Sequence, residues 1–228
     1  MLLLDASRLS LGSVNARALK ERRETVMAGI QTVLLDLGNV LIFHDNQLLF
    51  RSMGERAGIS AKKAEALIGG ALWNHVHRGE LEPNEIRSAV CRALGLSLDC
   101  NAFGELWNCH FRVNEPMIRH VEGLVGKVKL GALSNTNALH ARYFQAQLPI
   151  LKAFDQLLLS HELRMMKPEP AVFMEALRRL DSAAEATAFF DDIPEYVEAA
   201  RSLGFRAELF RSAAEFPAQL RRLGLGSL

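Results

Sequence analysis

Cysteine is scarce in this chain, neither sign of charge dominates, and no apolar run is long enough to cross a bilayer. The three cysteines, Cys91, Cys100 and Cys109, are too few and too far apart for a disulfide framework. No Cys/His spacing fits zinc either, so they read as free thiols of a reducing compartment. Lys and Arg number 27 against 26 Asp and Glu, which leaves no basic stripe for nucleic acid and no polyanion-binding tail. The ~18 consecutive apolar residues of a membrane span are missing. Leu2-Leu3-Leu4 runs straight into Asp5 with no basic segment before it, unlike a secretory leader. A soluble, cytoplasmic protein is expected, without nucleic-acid or membrane partners, working as a monomer or weak homodimer on a small molecule.

What is present is enough apolar residue, 49% of 228 positions, to build a real core. Residues 1–29 are polar and mixed in charge and read as an N-terminal extension, with Met27 an alternative start of translation. Strand-like Thr32-Val33-Leu34-Leu35 follows, and then the pattern turns helical. Residues 47–57, 60–68, 83–94 and 102–111 carry apolar side chains at helical spacing, punctuated by Gly58, Gly69-Gly70 and Gly95. Four short helices make a small bundle, placed at residues 45–114. Beyond it strands and helices alternate: strand 127–133, helix 137–147, strand 154–159, a helix opened by Pro170, strand 187–190, a helix using Ile193, Val197, Ala200 and Leu203, and strand 205–210. That rhythm predicts an α/β fold, a Rossmann-like open parallel sheet with helices on both faces. Residues 30–44 and 115–228 would form this core, and the all-helical segment inserted after its first strand would be a cap over it.

Two of the strand-like runs end on carboxylates: one closes on Asp36, the other on Asp191-Asp192. In an open parallel sheet, residues just past the carboxyl ends of the strands face a common crevice, so distant acids can meet there. Three converging acids invite Mg²⁺, a hard ion that takes one or two carboxylates, keeps waters and often binds substrate phosphate. Ser134-Asn135-Thr136 and Lys167-Pro168 lie at or near the ends of the other predicted strands. A carboxylate can attack phosphorus directly, and water later cleaves the aspartyl-phosphate. Asp36 is the candidate nucleophile, while Ser134, the Asn135 amide and Lys167 are suited to holding phosphate oxygens.

Taken in order, LLDLGNVL at 34–41, LGALSNTN at 130–137, the lysine of MKPEPAVF at 166–173 and FFDDIPEYVEAA at 189–200 resemble the four motifs of the haloacid dehalogenase superfamily, in its branch of Mg²⁺-dependent phosphatases. The wording is most similar to bacterial phosphatases of glucose 1-phosphate and related sugar phosphates. The resemblance implies Asp36 as nucleophile and metal ligand, the Gly38 backbone carbonyl as a second ligand, Asp192 as a direct ligand and Asp191 as a ligand through water. It further implies phosphate binding by Ser134 and Asn135, neutralisation by Lys167, and a helical cap after the first motif.

One position departs from the pattern. Most such phosphatases carry a second Asp, the general acid and base, two residues after the nucleophile; here that residue is Gly38. Its absence predicts a bias toward activated leaving groups such as an anomeric oxygen, or a substitute acid from His44, Asp45, His75 or His77. In the cap, Trp73, His75, His77, Arg78 and Glu80 form a polar-aromatic patch around a glycine turn, either a substrate-contacting surface or an amphipathic helix end. Trp107, Phe103 and Phe111 fall at helical spacing and read as core. Two other functions compete with a sugar-phosphate phosphatase. A metal-independent 2-haloacid dehalogenase also does without the second Asp, although the paired Asp191-Asp192 argues against it. A phosphate-binding pseudoenzyme is the third reading.

Overall fold

The computed structural model describes residues 29–225, so residues 1–28 of the N-terminal extension, Met27 among them, lie outside the described residues. Among the described residues there are seven strands: β1 Thr32–Leu35, β2 Ile42–His44, β3 Phe111–Val113, β4 Lys129–Ser134, β5 Gln156–Leu159, β6 Thr187–Asp191 and β7 Arg206–Leu209. Five form one sheet in the order β5-β4-β1-β6-β7, with every pairing parallel. The remaining two pair antiparallel as a ribbon. All four residues of β1 are buried, as a central parallel strand with both faces covered requires. Val33 and Leu35 point into a core with Met117, Val121, Phe144 and Phe216, and Leu34 into another with Phe173, Leu177 and Val197. Glycine at 131 is a packing requirement: a Cβ there would come within 2.8 Å of both Leu34 and Leu180. The expected sheet with helices on both faces is observed.

The helices of these two layers are α6 Glu115–Glu122, α7 Ala138–Gln147, α8 Ser160–Leu163, α9 Pro170–Leu180, α10 Pro194–Ser202 and α11 Phe216–Arg222. Before them come α1 Asn46–Ala57, α2 Ala61–Ile68, α3 Ala71–His77, α4 Pro83–Leu94 and α5 Cys100–Asn108. Local chemistry sets their starts. Asp45 accepts from the amides of Gln47 and Leu48, Ser60 from Lys63 and Asp99 from Ala102. These five helices share a core of their own, with Leu49, Met53, Ile68, Ile86, Val90, Phe103 and Trp107 almost fully buried. Burying one such side chain stabilises by ~1.5–3 kcal/mol relative to leaving it exposed.

Several elements were not anticipated. Helix α3 is only seven residues between Gly70 and Arg78, too short for periodicity to register. The β2–β3 ribbon has three residues per strand, and Phe111 belongs to it rather than to a helix. Trp107 and Phe103 are core residues, as expected. Among the described residues no helix is long and apolar enough to cross a membrane.

Candidate active site

Parallel register brings the critical residues together. Leu35 lies opposite Ala132 of β4 and Phe190 of β6, so Asp36 and Asp191 leave the sheet side by side, with Ser134 one residue further along β4. All three are buried. The Asp36 amide donates to Phe190 O at 2.9 Å, carrying the β1–β6 pairing one residue past the strand and fixing where the carboxylate emerges.

Lys167 is the hub. It is 2% exposed, and Nζ donates to Asp36 Oδ1 at 2.7 Å, to Asp191 Oδ2 at 2.5 Å and to Leu133 O at 2.9 Å, committing all three protons. The ammonium also sits 5.1 Å from the Tyr196 ring centroid. Burial works against its charge, but Asp36 and Asp191 outweigh that and hold its pKa above the ordinary lysine value. The Lys167-Pro168 peptide is cis. Asn135 braces it: Oδ1 accepts from Lys167 N at 2.8 Å and Nδ2 donates to Lys167 O at 2.9 Å. The Asn135 side chain is therefore occupied with Lys167, which leaves its backbone amide as the group available to a ligand.

Carboxylate oxygens of Asp36, Asp191 and Asp192 lie within 4.8 Å of one another. Three acids face one lysine. Burial raises the Asp36 pKa to about 7 despite Lys167, and the charges of Asp191 and Asp192 add to the rise. This donor set fits a hard divalent cation, which would relieve that repulsion. Asp191 Oδ1 accepts from Ile193 N, so both its oxygens are engaged, whereas Asp192 is engaged through Oδ2 by Asn39 Nδ2 at 2.8 Å.

A cavity of about 280 Å³ opens over these groups. Asp36, Gly38, Ser134, Asn135, Lys167 and Asp192 line its floor; Trp73, His77, His110, Phe111 and His140 line its walls. Of the three cap residues singled out as substrate contacts, only His77 reaches it. His75 is exposed and paired with Glu80, and Arg78 is paired with Glu169; neither lines the cavity. His77 Nδ1 donates to Trp73 O at 2.8 Å, and burial lowers its pKa to about 4. Burial likewise takes His110 to about 4 and His140 well below the usual imidazole value. The wall is thus aromatic and uncharged at neutral pH. It is docked on the sheet through Ser160 Oγ, 2.6 Å from His77 O and 2.9 Å from Thr136 N.

Sequence reasoning did not single out Asn39, His110, His140 or Tyr196. Asn39 had a signal: a non-glycine residue after Gly38 that adopts φ 53°, a conformation Asn tolerates well. The two wall histidines had none, because only tertiary packing turns them inward.

Comparison with known proteins agrees with this architecture. A family model described as haloacid dehalogenase-like hydrolase matches residues 30–204. A HAD family enzyme from Bacteroides thetaiotaomicron superposes with a TM-score of 0.75 at 23% identity, covering 81% of this chain and 95% of that one. The same enzyme has been solved in complex with magnesium and inorganic phosphate, at TM-score 0.72 and 24% identity over 81% of this chain and 96% of that one. L-2-haloacid dehalogenase from Xanthobacter autotrophicus superposes less closely, with a TM-score of 0.56 at 18% identity over 78% of this chain and 76% of that one. Among curated proteins, drimenol cyclase drtB of Aspergillus calidoustus is 24% identical over 196 residues, 84% of this chain; the chain spans only 36% of that protein's length.

Proposed function

Because the chain belongs to the haloacid dehalogenase-like hydrolases, we propose that it is a Mg²⁺-dependent phosphatase of a small phosphorylated metabolite, a sugar phosphate by preference, acting in the cytoplasm. One observation carries the reading: Asp36 lines a cavity with Lys167 on one oxygen and two further carboxylates within 4.8 Å. A dehalogenase has no use for that third and fourth charge, whereas a phosphoryl group brought by a divalent cation does.

Lys167 occupies Oδ1 of Asp36, so Oδ2, on the side of Gly38, is the attacking oxygen. It bonds to phosphorus as the ester oxygen departs, and water then cleaves the aspartyl-phosphate. Asp36, the Gly38 carbonyl and Asp192 would hold Mg²⁺, with Asp191 behind them. Bound there, the cation supplies positive charge against the phosphate and orients it. The Ser134 hydroxyl and the Asn135 amide hold phosphate oxygens, while Lys167 favours the ionised form of Asp36 against its burial and offsets charge on the transferring group. The uncharged aromatic wall favours a neutral hydroxylated leaving group, which stacks on Trp73 and hydrogen-bonds to imidazole.

The test is phosphate release from p-nitrophenyl phosphate, glucose 1-phosphate and glucose 6-phosphate, with Mg²⁺ or EDTA, beside Asp36→Asn. Metal-dependent release lost in the variant is expected. Halide release from 2-haloacids in EDTA would replace this reading with a dehalogenase, and phosphate binding without release would replace it with a pseudoenzyme.

A further inference from the structure

We propose that His44 is the proton donor and acceptor of the reaction, a reading that rests on the phosphatase chemistry of Asp36. The leaving oxygen needs a proton, and the attacking water must lose one, within reach of Asp36 Oδ2. Imidazole is the side chain best suited to do both near neutrality. A Cβ placed on Gly38 would lie 3.4 Å from Asp36 Oδ2, and 3.2 Å and 3.3 Å from Cδ2 and Nε2 of His44. The nucleophile's free oxygen and the imidazole edge therefore flank one small space, left open because residue 38 has no side chain. His44 also lines the cavity.

Several of the competing groups are committed elsewhere, and burial keeps the wall imidazoles of His77, His110 and His140 short of a proton to give. Lys167 has no proton to spare from its three acceptors. Asp45 caps α1 through the amides of Gln47 and Leu48. His75 pairs with Glu80 away from the cavity. His77 is tied by Nδ1 to the Trp73 carbonyl, and His140 by Nδ1 to Asn137.

Asn39 sets the ring in place. Its Oδ1 accepts from His44 N at 3.2 Å, and its Nδ2 reaches both Asp192 Oδ2, at 2.8 Å, and His44 Nε2, at 3.3 Å. The last contact is long and is readily given up when Nε2 carries the proton. In the first half-reaction the bond from Asp36 Oδ2 to phosphorus forms, the ester P–O bond breaks, and the Nε2 proton goes to the departing oxygen. In the second, water oxygen bonds to phosphorus, the bond to Asp36 breaks, and the water proton returns to Nε2.

The experiment compares kcat/KM for p-nitrophenyl phosphate, whose leaving group needs no acid, and glucose 6-phosphate, whose alcohol does, in the wild type, His44→Gln and His44→Ala. Loss of the acid is expected to lower the alkyl phosphate value ~10²- to 10⁴-fold and the aryl value only a few-fold. A burst of p-nitrophenol is also expected as phosphorylated Asp36 accumulates for want of the base. The double variant Gly38→Asp/His44→Ala, which puts a carboxylate into the space the ring vacates, is expected to recover at least ~10-fold toward the alkyl phosphate. An equal loss for both substrates would mean a merely structural His44, and no loss would mean an idle one; either overturns the proposal. A wild-type protein that releases phosphate from neither substrate removes the phosphatase reading and the proposal together.

Discussion

Acid should destabilise this protein well above the pH at which carboxylates protonate, and the buried histidines set the size of the effect. His77, His110 and His140 are 5%, 5% and 3% exposed. Burial holds the first two near pKa 4 and the third well below the usual range, from an ordinary imidazole value of 6.5. Between those values the unfolded chain binds a proton on each ring that the folded chain refuses. The stability so contributed is complete above pH 6.5 and is lost as pH falls toward 4. Near pH 5 each ring contributes ~1.4 kcal/mol per pH unit. Asp36 works in the opposite sense. Raised from 3.8 to about 7, it binds its proton in the folded state first and cancels about one histidine over the same range. The balance is a loss of ~3 kcal/mol between pH 6.5 and pH 5, a large share of an ordinary stability of ~5–15 kcal/mol. Urea unfolding followed by tryptophan fluorescence reads this region directly, because Trp107 stacks on His140 at 5.3 Å and the ring of Trp73 lies tilted against His77 at 4.5 Å. His110→Phe should flatten the slope by ~1.4 kcal/mol per pH unit, since Nδ1 of His110 has no partner to lose. Stability that is flat or rising from pH 6.5 to 5 would refute the reasoning.

Two further outcomes follow from single contacts. Lys167→Met leaves Asp36 and Asp191 buried without their shared cation and should cost ~3–5 kcal/mol in urea unfolding besides abolishing turnover; a variant as stable as the parent would show that the triad carries no net buried charge. Gly79→Ala should lower the unfolding midpoint and weaken substrate binding, because φ there is 68° and a Cβ would lie 2.0 Å from His161 O, where the turn after α3 meets α8. An unchanged midpoint and KM would mean that α3 does not sit this close.

The floor of the cavity was readable in advance because each of its residues follows a strand-like run or a short motif, and parallel pairing then has one way to bring them together. Asp36 and Asp191 meet because β1 is central and β6 lies beside it. The wall was not readable. Trp73, His77 and His140 come from helices whose placement depends on contacts of long sequence separation, such as Ser160 with the His77 carbonyl and Trp107 Nε1 with Asn137 Oδ1 at 3.4 Å. No local pattern encodes those. Three cap residues were equally plausible as substrate contacts by type; contacts with Glu80 and Glu169 turn His75 and Arg78 aside and leave His77.

Gly38 is the most instructive position, because what it contributes is an absence. By sequence it marks only a missing acid, and four nearby residues compete to replace it. In space the missing side chain is a gap with two sides, Asp36 Oδ2 on one and the His44 ring on the other. The same step in the chain, Asn39 at φ 53°, turns the backbone so that its amide spans from Asp192 to His44. A side chain at 38 would press on the ring at 44 at 3.2 Å, so that ring would have to give by a few tenths of an ångström; the two positions are coupled, and the effects of replacing them should not add.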